Sequence, residues 1–251
     1  MKDYIDYVSG ISFRFIKPHT PLPIFSSLLR GHPKSAKLIE KLGVSGFSPE
    51  IINTKIPYDE RNMKCRLREI CTIPKMSTFA IGAMINEGVS QMPDTQVFVN
   101  IGVWHGFTLL SGMVNNPQKK CIGVDDFSEF GGPRDVFIER FNKYKGPKHY
   151  FYEMDYLEYF STVHKEPIGF YVYDGNHSYE NQINGLRVAE PFFSKNCIIL
   201  IDDVNYDEAR QGTTDFILSS SYEYQIILDE TTSCNSHLTL WNGVIILQRI
   251  K

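Results

Sequence analysis

Acidic residues follow two neighbouring apolar runs of this chain, at the points where the runs end. Ile168–Tyr173 leads directly into Asp174. Cys197–Ile201 leads directly into Asp202 and Asp203, and a stretch with helical character separates the two runs. Because a strand–helix–strand order makes the strands parallel, both carboxyl ends are expected at one edge of a sheet. Open α/β sheets bind their ligands at that edge.

Three carboxylates at one sheet edge repel each other unless a cation or a proton compensates their charge. Carboxylate oxygens are ligands of hard cations such as Mg²⁺. The sequence therefore predicts a divalent-metal site formed by Asp174, Asp202 and Asp203 beside a small-molecule pocket. The alternative is that these acids cap the helices that follow them and never meet.

A histidine lies three residues past the first of these acids. Histidine side chains titrate near neutral pH, so His177 is a candidate to take a proton from a hydroxyl group. Asp174 is the second candidate for this catalytic role. Two alternatives stay open for His177, a hydrogen bond to the backbone at a helix start and ligation of the metal.

Another group of residues is suited to an adenosine-containing cofactor. The apolar run Val97–Ile101 ends in a turn with glycines at 102 and 106 and then opens a helix. Glycines let a backbone approach a ligand closely, and a helix start offers free N–H groups. Asp125 ends the next apolar run, about 20 residues on, where an acid commonly accepts ribose hydroxyls. A tight turn without a ligand and an acidic helix cap are the alternatives.

From Val97 onward, short apolar strands alternate with helical stretches, which predicts an α/β fold with a mostly parallel sheet. Strands are predicted over Val97–Ile101, Lys120–Val124, His149–Glu153, Ile168–Tyr173, Cys197–Ile201, Tyr224–Asp229 and Gly243–Arg249. Helices are predicted over Thr108–Asn115, Arg134–Tyr144, Tyr156–Val163, Gln182–Phe193 and Tyr206–Ser220. The last two strands lack a helix between them, which predicts a hairpin with an antiparallel last strand. This is a Rossmann-like sheet of seven strands with helices on both faces.

The first 75 residues have a different character, because prolines punctuate them and few regular strands are evident. They are predicted to form an N-terminal cap or lid that supplies part of the small-molecule pocket or a subunit contact. A cap that lies away from the site is the alternative. Helices are predicted over Ser35–Leu42 and Ser77–Gly88, the second with Ser77 as N-cap and Gly88 as its end. Asn205 is the predicted N-cap of the helix Tyr206–Ser220.

Composition is that of a globular protein, with 42% hydrophobic and 22% charged residues. A net charge of -3 gives no electrostatic reason to expect nucleic acid or an anionic membrane as a partner. Five cysteines without metal-type spacing indicate a reducing, cytoplasmic location. The predicted partner is a small molecule, and the sequence is compatible with a homo-oligomer.

The glycine turn Gly102–Gly106, the strand-end Asp125, the segment Asp174–Glu180 and the Asp202-Asp203 pair together resemble class I S-adenosylmethionine-dependent methyltransferases. The likeness is closer to the branch that includes metal-assisted sugar O-methyltransferases. The loop Asp125–Pro133 resembles the Asp-Ser-Phe-Glu-Gly-x-Pro loop of that branch. The likeness covers roughly residues 75–250, which makes 76–251 the methyltransferase domain, while residues 1–70 resemble no family that we can name.

The resemblance implies transfer of a methyl group from S-adenosylmethionine to a hydroxyl of a sugar or other small polar acceptor, assisted by a divalent metal such as magnesium. It also implies a set of cofactor-binding residues: Asn100, Gly102, Trp104, Gly106, Asp125 and Asp155. The family usually has an acid where this chain has Asn100, and Trp104 replaces the middle glycine of the broad class.

Two other functions use the same fold. A non-methylating, hydroxylase-like member would keep the cofactor turn without a competent acceptor site. An NAD-binding oxidoreductase would use the same turn and ribose acid, but Trp104 and Phe107 interrupt the full Gly-x-Gly-x-x-Gly fingerprint.

Overall fold

The structure, a computed structural model, describes residues 2–22 and 48–251. A short antiparallel ribbon pairs β1 (Ser12–Phe13) with β2 (Thr54–Lys55). Within the described residues, the main sheet has seven strands: β3 (Val97–Ile101), β4 (Lys120–Val124), β5 (His149–Tyr152), β6 (Ile168–Tyr173), β7 (Phe193–Asp202), β8 (Tyr224–Glu230) and β9 (Val244–Arg249).

The strand order is β5-β4-β3-β6-β7-β9-β8. The five strands from β3 to β7 are parallel, and β9 runs antiparallel to both of its neighbours, with Asp202 paired to Val244. The sheet therefore confirms the Rossmann-like α/β prediction and its antiparallel last strand. All seven predicted strands are present, and β7 begins earlier than predicted, at Phe193.

Helices cover the sheet and connect its strands. Their bounds are Lys2–Gly10, Pro49–Asn53, Glu60–Leu67, Phe79–Gln91, Phe107–Met113, Arg134–Tyr144, Tyr156–Glu158, Tyr179–Ala189 and Asp207–Ser219. Short 3-10 turns lie at Ile70–Thr72 and Glu190–Phe192, and a π turn continues the chain over Tyr159–Val163. Among these described residues, no helix is long and apolar enough to cross a membrane.

The central strands are buried on both faces, which explains their continuous apolar sequences. Side chains alternate between the faces, so that Phe98 and Phe170 join one apolar layer while Val99 and Tyr171 join the other. This burial holds the strands in register and fixes their carboxyl ends at one edge. The chemistry-bearing residues that follow β3, β4, β6 and β7 are thereby brought together.

The described N-terminal residues share this core. Tyr4 and Tyr7 of the first helix are 0% and 1% exposed, and the Tyr4 ring packs edge-on against Phe170 with centroids 5.9 Å apart. Burial of the two aromatic rings stabilises the fold, although both hydroxyl groups are buried without a hydrogen-bond partner, which offsets part of the gain. The division at residue 75 stays a prediction, because this part of the chain packs into the domain's own core.

Three local predictions are wrong. Gly88 does not end its helix, which continues to Gln91. The glycine instead makes room for the ring of Phe170, which packs where a side chain at this position would stand. The N-cap of that helix is Thr78 rather than Ser77. Asn205 does not cap the last helix either: its side-chain amide binds Thr232, and Tyr206 is the N-cap. The predicted helix Ser35–Leu42 lies outside the described residues.

Candidate active site

A cleft of about 970 Å³ lies over the carboxyl ends of β3, β4, β6 and β7. Its size is at the upper end of the roughly 300–1,000 Å³ typical of small-molecule sites, so it has room for more than one ligand. The glycine turn after β3 and the acids after β4, β6 and β7 contribute to its wall. Residues 74–77 and the loop between β8 and β9 close its other side.

The glycine turn adopts backbone conformations that favour glycine. Gly102 has φ 77° and Gly106 has φ 99° at the N-cap of the helix Phe107–Met113. A Cβ on Gly102 would overlap the carbonyl oxygen of Asp174, so the turn after β3 and the strand end of β6 touch through backbone alone. Gly106 faces the ring of Phe137 and serves packing rather than the cleft wall.

Asp125 holds this turn in place. Its Oδ2 accepts hydrogen bonds from the backbone N–H groups of Val103 at 2.7 Å and Trp104 at 2.8 Å. Its Oδ1 accepts the N–H of Phe127 at 2.7 Å. Three backbone donors therefore compensate the charge of this carboxylate, and one lone pair on Oδ1 remains for a further donor such as a ribose hydroxyl.

The other predicted cofactor residues have local partners as well. Asn100 is fully buried, and its amide donates to the carbonyl of Gly102 at 2.7 Å while its Oδ1 has no partner. Trp104 lines the cleft with φ 44°, and its indole N–H donates to the carbonyl of Phe130. Asp155 lines the cleft and is the N-cap of the helix Tyr156–Glu158, whose first N–H groups its Oδ1 accepts. Their contacts with a cofactor remain predictions.

The acids after β6 and β7 meet around a histidine. His177 Nε2 lies 3.6 Å from Oδ2 of Asp203 and 3.9 Å from Oδ1 of Asp174. His177 Nδ1 lies 3.2 Å from the side-chain oxygen of Gln182. The alternative that the acids cap the following helices is wrong, because the N-caps of these helices are Ser178 and Tyr206.

Few hydrogen-bond donors reach these acids. Asp203 has φ 61° and accepts the amide N–H of Asn242 at 2.7 Å, and the hydroxyl of Thr108 lies 3.5 Å from Asp174. Asp202 lies behind the cleft wall, 1% exposed. Its Oδ1 accepts the N–H of Asp203, while its Oδ2 is buried without a partner.

Because they are buried and few donors reach them, the three carboxyl groups have shifted pKa values. Burial raises the pKa of Asp174 and Asp202 well above the ordinary value, and the negative charge of Asp203 raises both further. Burial raises the pKa of Asp203 as well, although His177 and the hydrogen bond from Asn242 oppose it. The cluster therefore favours a bound proton or a cation.

Within the described residues, no group of three or more His, Cys, Asp or Glu side chains is arranged as a ready metal site. The donor chemistry nevertheless suits a hard cation, since the buried Oδ2 of Asp202 has no donor and the oxygens of Asp174 and Asp203 face the cleft from adjacent strands. The structure therefore places Asp174 and Asp203 at the cleft with Asp202 buried behind its wall, and a metal site formed by all three stays a prediction.

Two residues of the site were not predicted. Thr108 lies in the first turn of the helix after β3, and Asn242 lies in the turn before β9, where it holds Asp203. The Asn242-Gly243 dipeptide is a turn signal, so the sequence could have indicated a loop there. Its contact with Asp203 depends on β9 pairing with β7, which no local pattern reveals.

A family model described as a methyltransferase domain matches residues 99–204. No curated protein matches the chain significantly in sequence. Among solved structures, a protein from Corynebacterium glutamicum has 10% identity and a TM-score of 0.56, covering 88% of this chain and 98% of that one. Cofactor-bound Rv0187 from MTB has 11% identity and a TM-score of 0.55, covering 86% and 97%.

The O-methyltransferase TomG from Streptomyces achromogenes, solved in complex with SAM, has 10% identity and a TM-score of 0.51, covering 86% of this chain and 96% of that one. At these identities the likeness shows the fold alone. The family match is independent of it and spans the glycine turn, Asp125 and the strand ends at Asp174 and Asp203. The fold and the family match agree: residues 99–204 are similar to a methyltransferase domain, and the seven-stranded sheet has the strand order described above.

Proposed function

We propose that this protein transfers the methyl group of S-adenosylmethionine to a hydroxyl oxygen of a small polar acceptor, with a sugar hydroxyl as the favoured case. TomG, a structural neighbour, is an O-methyltransferase that was solved with the same methyl donor. The size of the cleft supports binding of an acceptor beside the cofactor.

One observation carries the proposal. His177 Nε2 lies within 4 Å of carboxylate oxygens of Asp174 and Asp203, at the edge of the sheet where the glycine turn meets Asp174. A hydroxyl that reaches this cluster has candidate proton acceptors beside it, next to the position that the cofactor turn defines. Such a juxtaposition suits attack of an oxygen on a methyl group.

The reaction forms a bond between the acceptor oxygen and the methyl carbon as the carbon–sulfur bond breaks, and the hydroxyl proton passes to a base. His177 is the favoured base and Asp174 the second candidate, because both line the cleft. The products are a methyl ether and S-adenosylhomocysteine. Gly102 and Trp104 would form the cofactor wall with Asp125 and Asp155, and Asn100 and Gly106 would support the turn from behind.

Asp174, Asp202 and Asp203 would hold a divalent cation, magnesium being the favoured ion. The unpartnered Oδ2 of Asp202 and the raised pKa values of all three carboxyl groups support this assignment. When bound, such an ion lowers the pKa of an acceptor hydroxyl and orients it. Asn242 would position Asp203 for this role through its hydrogen bond at 2.7 Å.

The N-terminal cap, residues 1–75, is proposed to contribute to the acceptor pocket or to a subunit contact. Its carbonyl groups at Pro18 and Thr20 accept hydrogen bonds from Ser233, in the loop that carries cleft residues Asn235 and Asn242. Hydrogen exchange tests this role, since acceptor binding should protect part of residues 1–75. Exchange that stays unchanged throughout the segment would contradict it.

A cytoplasmic location is also proposed, because none of the five cysteines is paired and two of them are exposed. Imaging of a fluorescent fusion tests it, and secretion of the fusion would contradict it.

Calorimetry with S-adenosylhomocysteine and a methyl-transfer assay with hydroxyl acceptors test the proposed activity. We expect a Kd of about 1 μM or lower, which corresponds to about −8 kcal/mol. Turnover should fall after chelation and return with Mg²⁺. His177→Gln should lower the rate by roughly 10²–10⁴-fold, the usual contribution of a general base, without weakening cofactor binding.

His19→Gln is the matched control, because His19 is an exposed histidine that pairs with Glu230. Absence of S-adenosylhomocysteine binding would overturn the proposal. Binding without transfer to any hydroxyl would favour a non-methylating member of the fold. Turnover that is unchanged after chelation would contradict the proposed metal site but not the proposed methyl transfer.

A further inference from the structure

The cleft has a strong excess of negative charge. Eight carboxylates line it: Asp125, Asp126, Glu129, Asp155, Asp174, Asp203, Asp207 and Glu208. Among the described residues of the lining, Lys75 is the one lysine or arginine. A wall with one sign of charge selects ligands of the opposite sign and repels like charges.

Lys75 does not offset this excess. Its ammonium group lies 2.9 Å from Glu50 Oε1 and donates to the carbonyl of Cys71 at 2.8 Å. Glu50 is itself buried, and its Oε2 accepts the N–H of Phe79 at the start of a helix. The lysine charge is therefore compensated on the protein side, and it does not offer a phosphate or carboxylate group an unpaired cation.

The cofactor and a metal would account for part of the negative charge. The sulfonium and ammonium groups of S-adenosylmethionine, less its carboxylate, supply one net positive charge, and a divalent cation supplies two. Asp125 is compensated by three backbone N–H groups, and Asp174 and Asp203 would face the cation, so five carboxylates of the lining remain. Asp126, Glu129, Asp207 and Glu208 have no task in the proposed reaction. The hydrogen bonds that Asp126, Glu129 and Glu208 accept come from neutral groups of Ser128, Asn176 and Tyr179, so their negative charge remains in the cleft wall.

Two of these acids lie close to Asp203 in the chain, where the proposed reaction would place the acceptor hydroxyl. Asp207 and Glu208 form the first turn of the helix that follows β7, a few residues beyond Asp203. Tyr206 precedes them and is 44% exposed, and all three side chains belong to the cleft wall. Acidic side chains at a helix start interact favourably with the helix dipole. An exposed aromatic face beside two carboxylates is, in addition, a good receptor for an ammonium group, because a cation is attracted to the ring as well as to the charges.

We propose that the acceptor carries a positive charge, as an amine-bearing polyol or amino sugar does, and that Tyr206, Asp207 and Glu208 receive its ammonium group. Phosphorylated sugars, uronic acids and acyl thioesters of nucleotide carriers are disfavoured, since each brings negative charge to an acidic wall. This inference rests on the proposed function of the same cleft and narrows its substrate class.

Three sugars of one ring size and different charge test the inference on the full chain saturated with S-adenosylhomocysteine. Glucosamine is the cation, glucose the neutral probe and glucuronate the anion, and their Kd values are measured by calorimetry or ligand-observed NMR. We expect glucosamine to bind at least about tenfold more tightly than glucuronate, with glucose between them. The preference should shrink as salt rises, because exposed charges are screened.

The variants Asp207→Asn and Glu208→Gln should each reduce the preference for glucosamine several-fold and leave glucose unchanged. Glu223→Gln is the control, because Glu223 is an acid that pairs with Lys251 outside the cleft lining. A Kd for glucuronate equal to or below that of glucosamine, or no binding by either sugar, would overturn the inference. Loss of S-adenosylhomocysteine binding would instead overturn the proposed function, so the two failures are distinguishable.

Discussion

Acids that end apolar strands have two different surroundings in this molecule. Asp125, after β4, accepts three backbone N–H groups at 2.7–2.8 Å. Asp174, Asp202 and Asp203, after β6 and β7, receive few donors, and one oxygen of Asp202 receives none. The same sequence pattern, an aspartate at the end of a buried strand, thus produces a saturated carboxylate in one place and a donor-poor cluster in the other.

The difference separates structural from ligand-dependent roles. The saturated carboxylate of Asp125 already holds the glycine turn before any ligand arrives, so its loss should affect folding and cofactor binding together. The cluster has its pKa values raised by burial and mutual repulsion, so it costs stability until a cation or proton compensates it. Substitutions in each region should therefore act in opposite directions.

The largest effect is expected where the two regions touch. Gly102→Ala would place a Cβ against the carbonyl of Asp174 at a residue with φ 77°. Overpacking of about 1–3 kcal/mol adds to a left-handed backbone cost of about 1–2 kcal/mol. We expect a loss of roughly 2–5 kcal/mol in the free energy of unfolding, measured by urea denaturation, or no folded protein.

Gly131→Ala is the matched control, because Gly131 has φ 79° and no heavy atom near the added Cβ. Its loss should stay near the backbone cost of about 1–2 kcal/mol. Equal losses in the two variants would show that the turn and the β6 end do not touch as described.

A smaller loss is expected at the saturated acid. Asp125→Ala leaves the N–H groups of Val103 and Trp104 without their acceptor, and an unsatisfied buried donor costs about 1–3 kcal/mol. We expect the free energy of unfolding to fall by roughly 2–4 kcal/mol and S-adenosylhomocysteine affinity to fall at least tenfold in calorimetry. Asp126→Asn, at an acid whose partners are the backbone and hydroxyl of Ser128, should change both little. If Asp125→Ala leaves the affinity for S-adenosylhomocysteine unchanged, the glycine turn is not part of the cofactor site.

The smallest effect is expected for Asp202→Asn, which should raise the stability of the folded chain rather than lower it. Burial and the charges of Asp203 and Asp174 raise the pKa of Asp202, so the folded chain keeps this proton to a higher pH than the unfolded chain. Stability without metal therefore falls as pH rises from the ordinary carboxyl range through the folded-state pKa. Above that range, Asp202→Asn should raise Tm by about 2–4 °C, the effect of roughly 1 kcal/mol in a chain of this size.

Calorimetric scans from acidic to alkaline pH measure this difference, which should vanish where wild-type Asp202 is protonated in both states. Mg²⁺ should raise the Tm of the wild type and not of Asp202→Asn. Asp135→Asn, at a side chain that is 92% exposed, is the control and should change Tm little. A variant less stable than the wild type at the alkaline end of the scan, without metal, would mean that Asp202 is not a destabilising charge.

The strands and their order were predictable because burial on both faces requires continuous apolar runs of strand length, as in β3 and β6. The convergence of Asp174 and Asp203 followed from parallel strands alone. Element ends were less predictable: Gly88 carries the local signal of a helix end, but Phe170 occupies the space above it and the helix continues.

The distribution of hydrogen-bond donors was beyond local reasoning. Asp125 and Asp155 look alike in sequence, yet one accepts the backbone of a turn far away in the chain and the other accepts its own helix start. The hydrogen bond from Asn242 to Asp203 joins the turn before β9 to the residue that follows β7. Such contacts depend on the packed sheet, so a pattern identifies the acid but not what neutralises it.

The position of β9 has a consequence for the order in which the site is built. This strand is the last of the sheet to be synthesised, yet it lies between β7 and β8, and its Val244 pairs with Asp202. A nascent chain that has emerged only through β8 carries an unpaired edge on β7, and Asn242 is not yet there to hold Asp203. The sheet edge that carries Asp202 and Asp203 is therefore completed only after β9 has been synthesised and inserts between two earlier strands, a non-local and slow step of folding.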